Sequence, residues 1–450
     1  MKNWLTATLI ISILASLQLA ADFSLTDPAP PFPESDQESL TVILEGGTVF
    51  NGDAEKGRVA DVGIRDHHIM AIGDLSKHQA KIRLDVSGLA VTPGFIDIHS
   101  HAVRKKRKES GIFLWPDAEN YIRQGVTTVI GGPDGFSEYP VAILFADLED
   151  APASVNFGTF VGHNTVRELA MGQENRAPTL QELRFMKDMV EIAMLDGAFG
   201  LSSGLKYIPG AYSATEEVIA LARVSRLNGG IYITHMREEG LGLIDSVAET
   251  IRIAEEGGLP AQITHLKAMG MKMWGKSSEA LDMINAANAR GLDISIDQYP
   301  YSASSAVDHA MSEEDVIRIM QHPKTMIASD GGIFMPGDNV PHPRNYGSFA
   351  RVLGVYVREK GVLSFPMAIH KMTRMPADRI GLHDRGRIEV GAVADIAVLD
   401  PKRVIDRATF ENPHQFSEGV QHVFINGQAV LLNGEMTGER PGRVLRSGKD

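Results

Sequence analysis

Cysteine is missing from the whole 450-residue chain. The protein therefore has no disulfide bond, and a lipid anchor attached through cysteine is excluded as well. Basic residues are also scarce, because 44 Lys and Arg face 57 Asp and Glu and give a formal net charge of −13. Nucleic-acid binding normally needs a basic face, so this balance argues against a nucleic-acid partner. The one basic cluster, RKKRK at 104–108, is interpreted as a solvated loop.

One long apolar run opens the chain, from Trp4 to Ala21, and Lys2 precedes it. This pattern is typical of a secretory signal peptide, so we expect residues 1–21 to be a leader that is cleaved near its end. A single membrane anchor is the alternative, for which the run is borderline in length. Prolines and polar residues in 22–39 predict a mobile linker. We therefore expect a periplasmic or secreted protein without stable membrane insertion once the leader is removed.

The two ends of the chain share one kind of pattern, in which short alternating segments are separated by glycine turns. This alternation predicts strands in residues 40–93 and 382–450, which we expect to form one small β-sandwich domain together. Between them, residues 94–381 alternate strand-like and helix-like segments, and many of the helix-like segments end in glycine. Eight β–α units in succession predict a TIM-like (β/α)8 barrel, and the fold class is therefore α/β.

Histidine and aspartate close several of the predicted barrel strands. His99 and His101 stand two apart at the end of FIDIHSH, and residues at this spacing along a strand point to one face. His235, His265 and Asp330 close the fifth, sixth and eighth predicted strands. Such barrels carry their working residues at the carboxyl ends of the strands, and imidazole and carboxylate are natural metal ligands. The pattern predicts one or two divalent ions, zinc by default, with Asp330 as the catalytic base.

Longer motifs surround these residues, among them GFIDIHSH, GLSSGLKYIPGAYS, GGIYITHMREE, ITHLK, DQYPYSASS, ASDGG and HPRNYGSFARVL. From Leu40 onward the chain resembles the metal-dependent amidohydrolase superfamily, and within it the N-acyl-D-amino-acid deacylases, or D-aminoacylases. The resemblance implies that His99 and His101 are ligands of one metal. His235 and His265 are then ligands of the neighbouring or principal metal.

One turn departs from the family pattern. D-aminoacylases usually carry a metal-binding cysteine after the second strand, in a GNCG-like turn, whereas this chain reads GGPDG with Asp134 in that place. Asp134 is then either a direct carboxylate ligand or a turn former. Alternatively, Lys206 in SSGLKYIPG is carboxylated and bridges two metals, as in hydantoinase-like and dihydroorotase-like relatives, or it is an ordinary solvent-facing lysine. We favour a carboxylated Lys206; if neither residue serves, the site holds one metal only.

Further residues fall, by the same resemblance, on positions that bind substrate. Four of them are expected to hold the α-carboxylate, because Arg and Lys suit a carboxylate and Arg can bind it bidentately. These four are Lys267, Tyr299, Ser305 and Arg344. Tyr207 is expected to contact the scissile carbonyl.

Two features near the mouth of the barrel bear on the size of the substrate. The link between the seventh and eighth strands, from Tyr301 to Thr325, is shorter than the insertion that D-aminoacylases usually carry there. This predicts a more open site with room for a larger acyl group or a peptide. His163 follows the third strand, where it either shapes the pocket or is structural.

The predicted function is metal-dependent hydrolysis of a C–N bond other than a standard peptide bond. The expected substrates are small molecules, namely N-acyl-D-amino acids or dipeptides that contain a D-residue, cleaved by a metal-activated water. A cyclic amidase of the dihydroorotase or hydantoinase type is one alternative, although the carboxylate-binding set fits it less well. A lactone or ester hydrolase is another. A barrel that binds ligand without turnover is the third, and retention of Asp330 argues against it.

Overall fold

The first described part of the chain forms strands, as its alternation predicts. The computed structural model describes residues 39–103, 111–304, 310–338 and 342–448, so the predicted leader, nearly all of the predicted linker and the basic cluster lie outside the described residues. The first five strands are β1 (Leu40–Val49), β2 (Arg58–Arg65), β3 (His68–Gly73), β4 (Ala80–Asp85) and β5 (Ala90–Pro93). β1 pairs antiparallel with β2, and its other edge pairs in parallel with β4 and then with β5.

The barrel predicted from the middle of the chain follows. Its strands are β6 (Phe95–Asp97), β7 (Val126–Gly131), β8 (Asn156–Thr159), β9 (Val161–Gly162), β10 (Gly200–Gly204), β11 (Ile231–His235), β12 (Ala261–Ile263), β13 (Ile294–Gln298) and β14 (Thr325–Ile327). They pair in parallel in two runs, β6 to β8 and β9 to β14. β8 and β9 are two parts of one strand interrupted at Phe160. A parallel bridge between Ser100 and Gly331 joins the first strand position to the last, so eight positions form the predicted (β/α)8 barrel.

Helices cover the outside of the barrel between these strands. The α-helices are α1 (Glu119–Ile122), α2 (Val141–Asp150), α3 (His163–Met171), α4 (Leu180–Asp196), α5 (Thr215–Leu227), α6 (Leu243–Gly257), α7 (Ser277–Ala289), α8 (Glu313–Gln321), α9 (Arg344–Arg351), α10 (Phe365–Met372) and α11 (Arg374–Arg379). A π-helical segment, Val352–Glu359, continues α9, and single 3₁₀ turns occur at Gly111–Phe113, Gly210–Tyr212 and Met271–Met273.

Local sequence signals explain where the helices begin and end. At the start of α4, Thr179 and Glu182 exchange hydrogen bonds between side chain and backbone, which is a capping box. Gly197 ends the same helix with φ at 113°, a conformation that favours glycine. The short link between the seventh and eighth strands is occupied by α8. Among the described residues, none of the helices combines the length and apolar character needed to cross a membrane.

The C-terminal strands complete the domain that the N-terminal strands begin. They are β15 (Ile396–Leu399), β16 (Val420–Ile425), β17 (Gln428–Leu432) and β18 (Glu435–Met436). Antiparallel pairing of β15 with β5 joins the two chain ends in one nine-stranded assembly with its own apolar core. After β18 the chain returns to the barrel, where Phe157 of β8 donates its backbone N–H to the carbonyl of Arg443 at 2.9 Å. The C-terminal tail thus packs beside the barrel, although the sequence assigned all of 382–450 to the β domain.

Candidate metal centre and active site

The carboxyl end of the barrel gathers the residues that close its strands. His99 and His101 follow β6, His235 is the last residue of β11, and His265 comes just after β12. Asp330 follows β14, three residues after its end. The parallel strands deliver all five side chains to one end of the barrel, as the sequence predicted. All except His101 are at least nine-tenths buried.

Asp134, which follows β7, lies at the centre of this cluster. Its carboxylate oxygens lie 3.5 Å from Nε2 of both His99 and His101, 3.8 Å from Nδ1 of His235 and 3.6 Å from Nε2 of His265. The ligand atoms form two groups that share this aspartate. The first group also contains His99, His101 and Asp330, and the second contains His235 and His265. A carboxylate common to two groups can bridge two ions.

Three of these four separations match the spacing of atoms that coordinate a common ion, and the contact with His235, at 3.8 Å, is slightly longer. A nitrogen–oxygen hydrogen bond is about 2.7–3.2 Å long. Two ligand atoms on a tetrahedral zinc, each about 2.0–2.2 Å from it, lie roughly 3.3–3.6 Å apart. Nε2 of His99 and Oδ1 of Asp134 are buried and have no hydrogen-bond partner among the described residues. Buried polar atoms are normally paired, so this arrangement fits a divalent metal.

The buried carboxylates and imidazoles of the cluster shift the pKa values of one another. Burial favours the neutral form of Asp134, but the surrounding imidazoles, His99 first, hold the pKa of this carboxyl well below its usual value. Burial opposes the charge of His99, but carboxylates headed by Asp134 raise the pKa of its imidazole well above the usual value. Asp134 is therefore ionised, which is the form that binds a cation, whereas His99 releases its proton when it binds one.

Backbone strain is concentrated at the same residues. Asp134, His265 and Asp330 have positive φ angles of 55°, 33° and 49°. Residues other than glycine rarely adopt this region, and strained residues often occur at functional sites. Three of the residues in the two metal-binding groups thus occupy a conformation that the surrounding structure must hold in place.

Buried acidic groups contact the outer nitrogens of the histidines. Oδ1 of Asp297 lies 3.3 Å from Nδ1 of His99 and accepts a hydrogen bond from the backbone N–H of His265 at 2.8 Å. Oε1 of Glu239 lies 3.0 Å from Nδ1 of His265, an ionic contact in which neither atom makes a hydrogen bond of normal geometry to the described residues. Outer carboxylates of this kind fix the orientation and tautomer of a metal-binding imidazole. Sequence reasoning missed both residues, although Glu239 lies in the quoted motif GGIYITHMREE and Asp297 opens DQYPY.

Lys206 does not join the cluster, which corrects the preference stated from the sequence. Its side chain is 43% exposed, and its Nζ lies 3.5 Å from Oε2 of Glu238, which is equally exposed. The side chain lies at the rim beside Tyr207, whereas Asp134 is buried among the histidines. The structure thus favours the direct-carboxylate interpretation of Asp134. The cyclic-amidase alternative loses the support that it drew from a carboxylated Lys206.

The predicted carboxylate-binding residues lie together beside Asp330. Arg344 Nη1 donates to Asp330 Oδ2 at 2.6 Å, and Lys267 Nζ lies 3.0 Å from Oε1 of Glu239. Both cations face the ring of Tyr299, with Arg344 Cζ 5.1 Å and Lys267 Nζ 5.4 Å from its centroid. The hydroxyl of Tyr299 is buried without a hydrogen-bond partner among the described residues. Two buried cations and an unpaired hydroxyl suit an incoming anion.

The remaining predicted residues differ in their placement. The hydroxyl of Tyr207 lies 3.3 Å from Nδ1 of His235, at the metal-facing side of that ring. Ser305 lies outside the described residues. His163 is fully buried and contacts Glu217 at 2.9 Å, in a network that also includes Arg167. This placement favours the structural interpretation of His163.

The barrel and the two metal-binding groups define a class, that of metal-dependent hydrolases built on a (β/α)8 barrel. Residues 118–431 match the model of the amidohydrolase family. D-aminoacylase of Alcaligenes xylosoxydans xylosoxydans is 38% identical over 487 aligned residues, which cover 92% of this chain and 99% of the relative. The 487 aligned positions exceed the 450 residues of this chain, so the relative carries dozens of residues without a counterpart here.

Solved structures agree with this similarity. One structure of D-aminoacylase, described for its binuclear metal centre, superposes with a TM-score of 0.84 at 35% identity and covers 90% of this chain and 100% of the other. N-acyl-D-glutamate deacylase of Bordetella bronchiseptica, complexed with zinc and a phosphonate inhibitor, gives a TM-score of 0.85 at 33% identity and covers 91% and 100%. The chain belongs to the amidohydrolase family. The predicted fold, the family resemblance and the metal-dependent amidohydrolase activity are thereby confirmed.

Proposed function

We propose that this protein hydrolyses the amide bond of N-acyl-D-amino acids or of dipeptides that contain a D-residue. The observation that carries the proposal is the pair of buried cations beside the metal-binding groups. Arg344 and Lys267 flank Tyr299, and Arg344 directly contacts Asp330. A substrate that carries a carboxylate next to its amide nitrogen can therefore place the scissile carbonyl near the metal-binding groups while the cations hold the carboxylate.

The chain's own residues supply binding, orientation and proton transfer. A divalent cation bound there lowers the pKa of a water molecule and polarises the amide carbonyl. The carboxylate of Asp330 is buried beside the two imidazoles of the first group. Its Oδ1 lies 3.5 Å from Nε2 of His99 and 3.1 Å from Nε2 of His101. Because Arg344 helps to keep its pKa well below the usual range, Asp330 is ionised and can accept a proton. It then returns this proton to the leaving amine. Tyr207, at the metal-facing side of His235, is placed to donate a hydrogen bond to the carbonyl oxygen.

A preference for one enantiomer of the substrate follows from fixing two of the substrate's groups at once. When the carboxylate and the carbonyl are both held, the two enantiomers direct their side chains in different directions. The names of D-aminoacylase and N-acyl-D-glutamate deacylase support the D series for this chain. These relatives have similar identity to this chain and are named for different substrates, so we propose the D-configured backbone as the common feature.

Paired substrates test this proposal directly. The zinc-loaded protein is assayed with N-acetyl-D and N-acetyl-L forms of a neutral, an aromatic and an acidic amino acid. We expect hydrolysis of at least one D form and at least about 100-fold lower kcat/KM for its L form. Equal activity on both hands contradicts the assignment of the carboxylate-binding residues, as does activity neither on these substrates nor on dipeptides that end in a D-residue. Dihydrouracil and a lactone serve as controls for the two alternative reactions.

We also propose that the protein acts in the periplasm or outside the cell after removal of residues 1–21. The support is the lysine and apolar run at the start of the sequence, followed by small residues. Intact-mass measurement of the protein from fractionated cells tests this. A mass that lacks the first 20 or 21 residues supports the proposal, and a full-length cytoplasmic protein contradicts it.

A further inference from the structure

Glu239 is a buried acid that the reaction described above does not use. It lies four residues after His235, in the loop that follows β11, and is only 3% exposed. Its backbone carbonyl accepts from the N–H of Met269 at 2.7 Å, which ties this loop to the loop that follows β12. A carboxylate is rarely buried to this degree without a compensating cation.

Its carboxylate touches basic groups from both halves of the site. Oε1 lies 3.0 Å from Nδ1 of His265 and 3.0 Å from Nζ of Lys267, and Oε2 lies 3.6 Å from Nε2 of His235. The nitrogens of the two histidines that Glu239 faces are those directed away from Asp134. Glu239 therefore lies behind the second metal-binding group and, at the same time, beside a cation assigned to the substrate.

We propose that Glu239 is a positioning residue that links metal binding to recognition of the substrate carboxylate. It orients the imidazole of His265 toward the ion and holds the ammonium of Lys267 in the place that faces Tyr299. The second part of this inference rests on the proposed function, whereas the first part concerns the metal site alone. No other described carboxylate contacts both a histidine of the second group and Lys267.

Each contact has a physical consequence. An outer carboxylate fixes the ring of a metal-binding histidine and increases its basicity, and its removal typically costs about 10–100-fold in metal affinity. A buried ammonium needs an opposite charge, because removing one partner of a buried pair leaves the other uncompensated. Without Glu239, Lys267 loses the group that fixes its position, so the carboxylate of the substrate meets a misplaced cation.

The neighbouring acid provides a matched control. Glu238 carries the same side chain one position earlier, but it is 43% exposed and contacts Lys206 at the rim. It also accepts the backbone N–H groups of Gly240 and of Glu239 itself, and glutamine can keep both of these hydrogen bonds through its carbonyl oxygen. Glu239→Gln and Glu238→Gln thus remove the same charge from adjacent positions with different surroundings.

The test compares these two variants with the wild type in the full mature chain. Zinc affinity is measured by chelator competition, and binding of the free D-amino acid product to the zinc-loaded protein is measured by calorimetry. We expect Glu239→Gln to weaken zinc binding about 10–100-fold and to weaken product binding at saturating zinc at least 10-fold. Glu238→Gln should stay within about twofold of the wild type in both. If Glu239→Gln matches Glu238→Gln, or weakens zinc binding only, the proposed link is wrong.

A double-mutant cycle keeps the inference testable if Glu239→Gln is poorly folded. Glu239→Asp retains the charge but withdraws it by one methylene, and it is combined with Lys267→Met. If Glu239 acts through Lys267, the effects of the two changes on KM are not additive, whereas independent roles give additive effects and contradict the inference.

A wild-type protein that binds zinc but neither binds nor hydrolyses N-acyl-D-amino acids refutes the proposed function instead, and the zinc comparison then still tests the role at His265.

Discussion

The two ends of the barrel use buried charge in opposite ways. At the amino end, buried Lys371 donates hydrogen bonds to the carbonyl oxygens of His322 and Thr325 at 2.6 and 2.8 Å. Buried Asp395 accepts a hydrogen bond from the side chain of Asn156, the first residue of β8, at 2.9 Å. These polar groups meet at hydrogen-bond distance, and the last pair joins the barrel to the β domain.

At the carboxyl end, the buried groups around Asp134 are close to one another without meeting at hydrogen-bond distance. The four contacts between Asp134 and the histidines are 3.5–3.8 Å long, beyond the usual range of hydrogen bonds. A buried polar group without a hydrogen-bond partner costs free energy. Such groups persist where a bound ligand or a function compensates for this cost. The comparison separates polar groups whose hydrogen bonds stabilise the fold from the cluster around Asp134, which is prepared for a cation and a substrate. This division agrees with the general rule for TIM-type barrels.

The largest effect that tests this division is expected at Asp330. Asp330→Asn removes the proton acceptor, so we expect kcat for the best N-acetyl-D-amino acid to fall by about 10²–10⁴-fold. The same change at Asp293, near the amino end, should leave kcat within about twofold, since Asp293 contacts Arg379 and Lys324 there. The measurement is steady-state kinetics of both zinc-loaded variants. A comparable loss of kcat in the two variants would contradict the division between the ends.

Asp134 gives the next largest effect, because both metal-binding groups depend on it. Asp134→Asn should weaken zinc binding by more than about 100-fold, which exceeds the effect of losing an outer-shell partner. Asp134→Cys should restore zinc binding while shifting preference from manganese toward softer ions, because thiolate replaces a hard oxygen donor. Metal titration followed by elemental analysis provides the readout. Unchanged zinc content in Asp134→Asn would show that the cluster does not depend on this carboxylate.

Arg344 tests the substrate half of the carboxyl end. Arg344→Met removes a charged hydrogen-bond donor worth about 1.5–3 kcal/mol, so kcat/KM should fall about 10–100-fold. The loss should appear mainly in KM, and the preference for the D form should shrink. If kcat/KM changes equally for a substrate analogue that lacks the carboxylate, Arg344 does not bind this group and acts only on Asp330.

Lys371 sharpens the contrast from the amino end, where we expect an effect on stability alone. Lys371→Met should lower the free energy of unfolding by about 1–3 kcal/mol and leave kcat unchanged. Burial lowers the pKa of Lys371 from its ordinary value of 10.5 to about 8 in the folded protein. Between these values the unfolded chain binds more protons, so the stability of the wild type rises with pH. The variant lacks this contribution, and denaturant titrations at pH 7.5 and 9.5 should show the difference widening.

Lys206 should give the smallest effect. Because its side chain is exposed and paired at the rim, Lys206→Ala should keep the metal content and change kcat/KM by no more than a few-fold. Elemental analysis measures the metal content of the variant, and steady-state kinetics measures its kcat/KM. Loss of one metal equivalent would instead revive the carboxylated lysine that the sequence favoured.

The sequence was most informative where local patterns determine structure. Alternating strands and helices that end in glycine predicted the barrel, and the parallel strands then placed His99, His235 and Asp330 at one end. The choice between Asp134 and Lys206 could not be made in this way. Both follow a strand in a loop, and spacing along the chain does not reveal which loop residue turns into the barrel and which remains at the rim.

The outer carboxylates were missed for related reasons. Glu239 stands beside an exposed acid of the same type, so its burial is visible only once the loops after β11 and β12 are in contact. Asp297 lies within β13, where alternation marks it only as an inward-facing strand residue. Its contacts with His99 and His265 join strands that are far apart in sequence. Such contacts depend on tertiary packing, and periodicity does not encode them.

The most direct test of the account is a crystal structure of the zinc-loaded protein with anomalous diffraction recorded at the zinc edge. We predict zinc peaks at the carboxyl end of the barrel, within bonding distance of Asp134 and of nitrogens from His235 and His265, with a second position toward His99 and His101. A zinc bound through Lys206, or no peak among these residues at saturating zinc, would contradict the assignment of this end of the barrel as the metal centre.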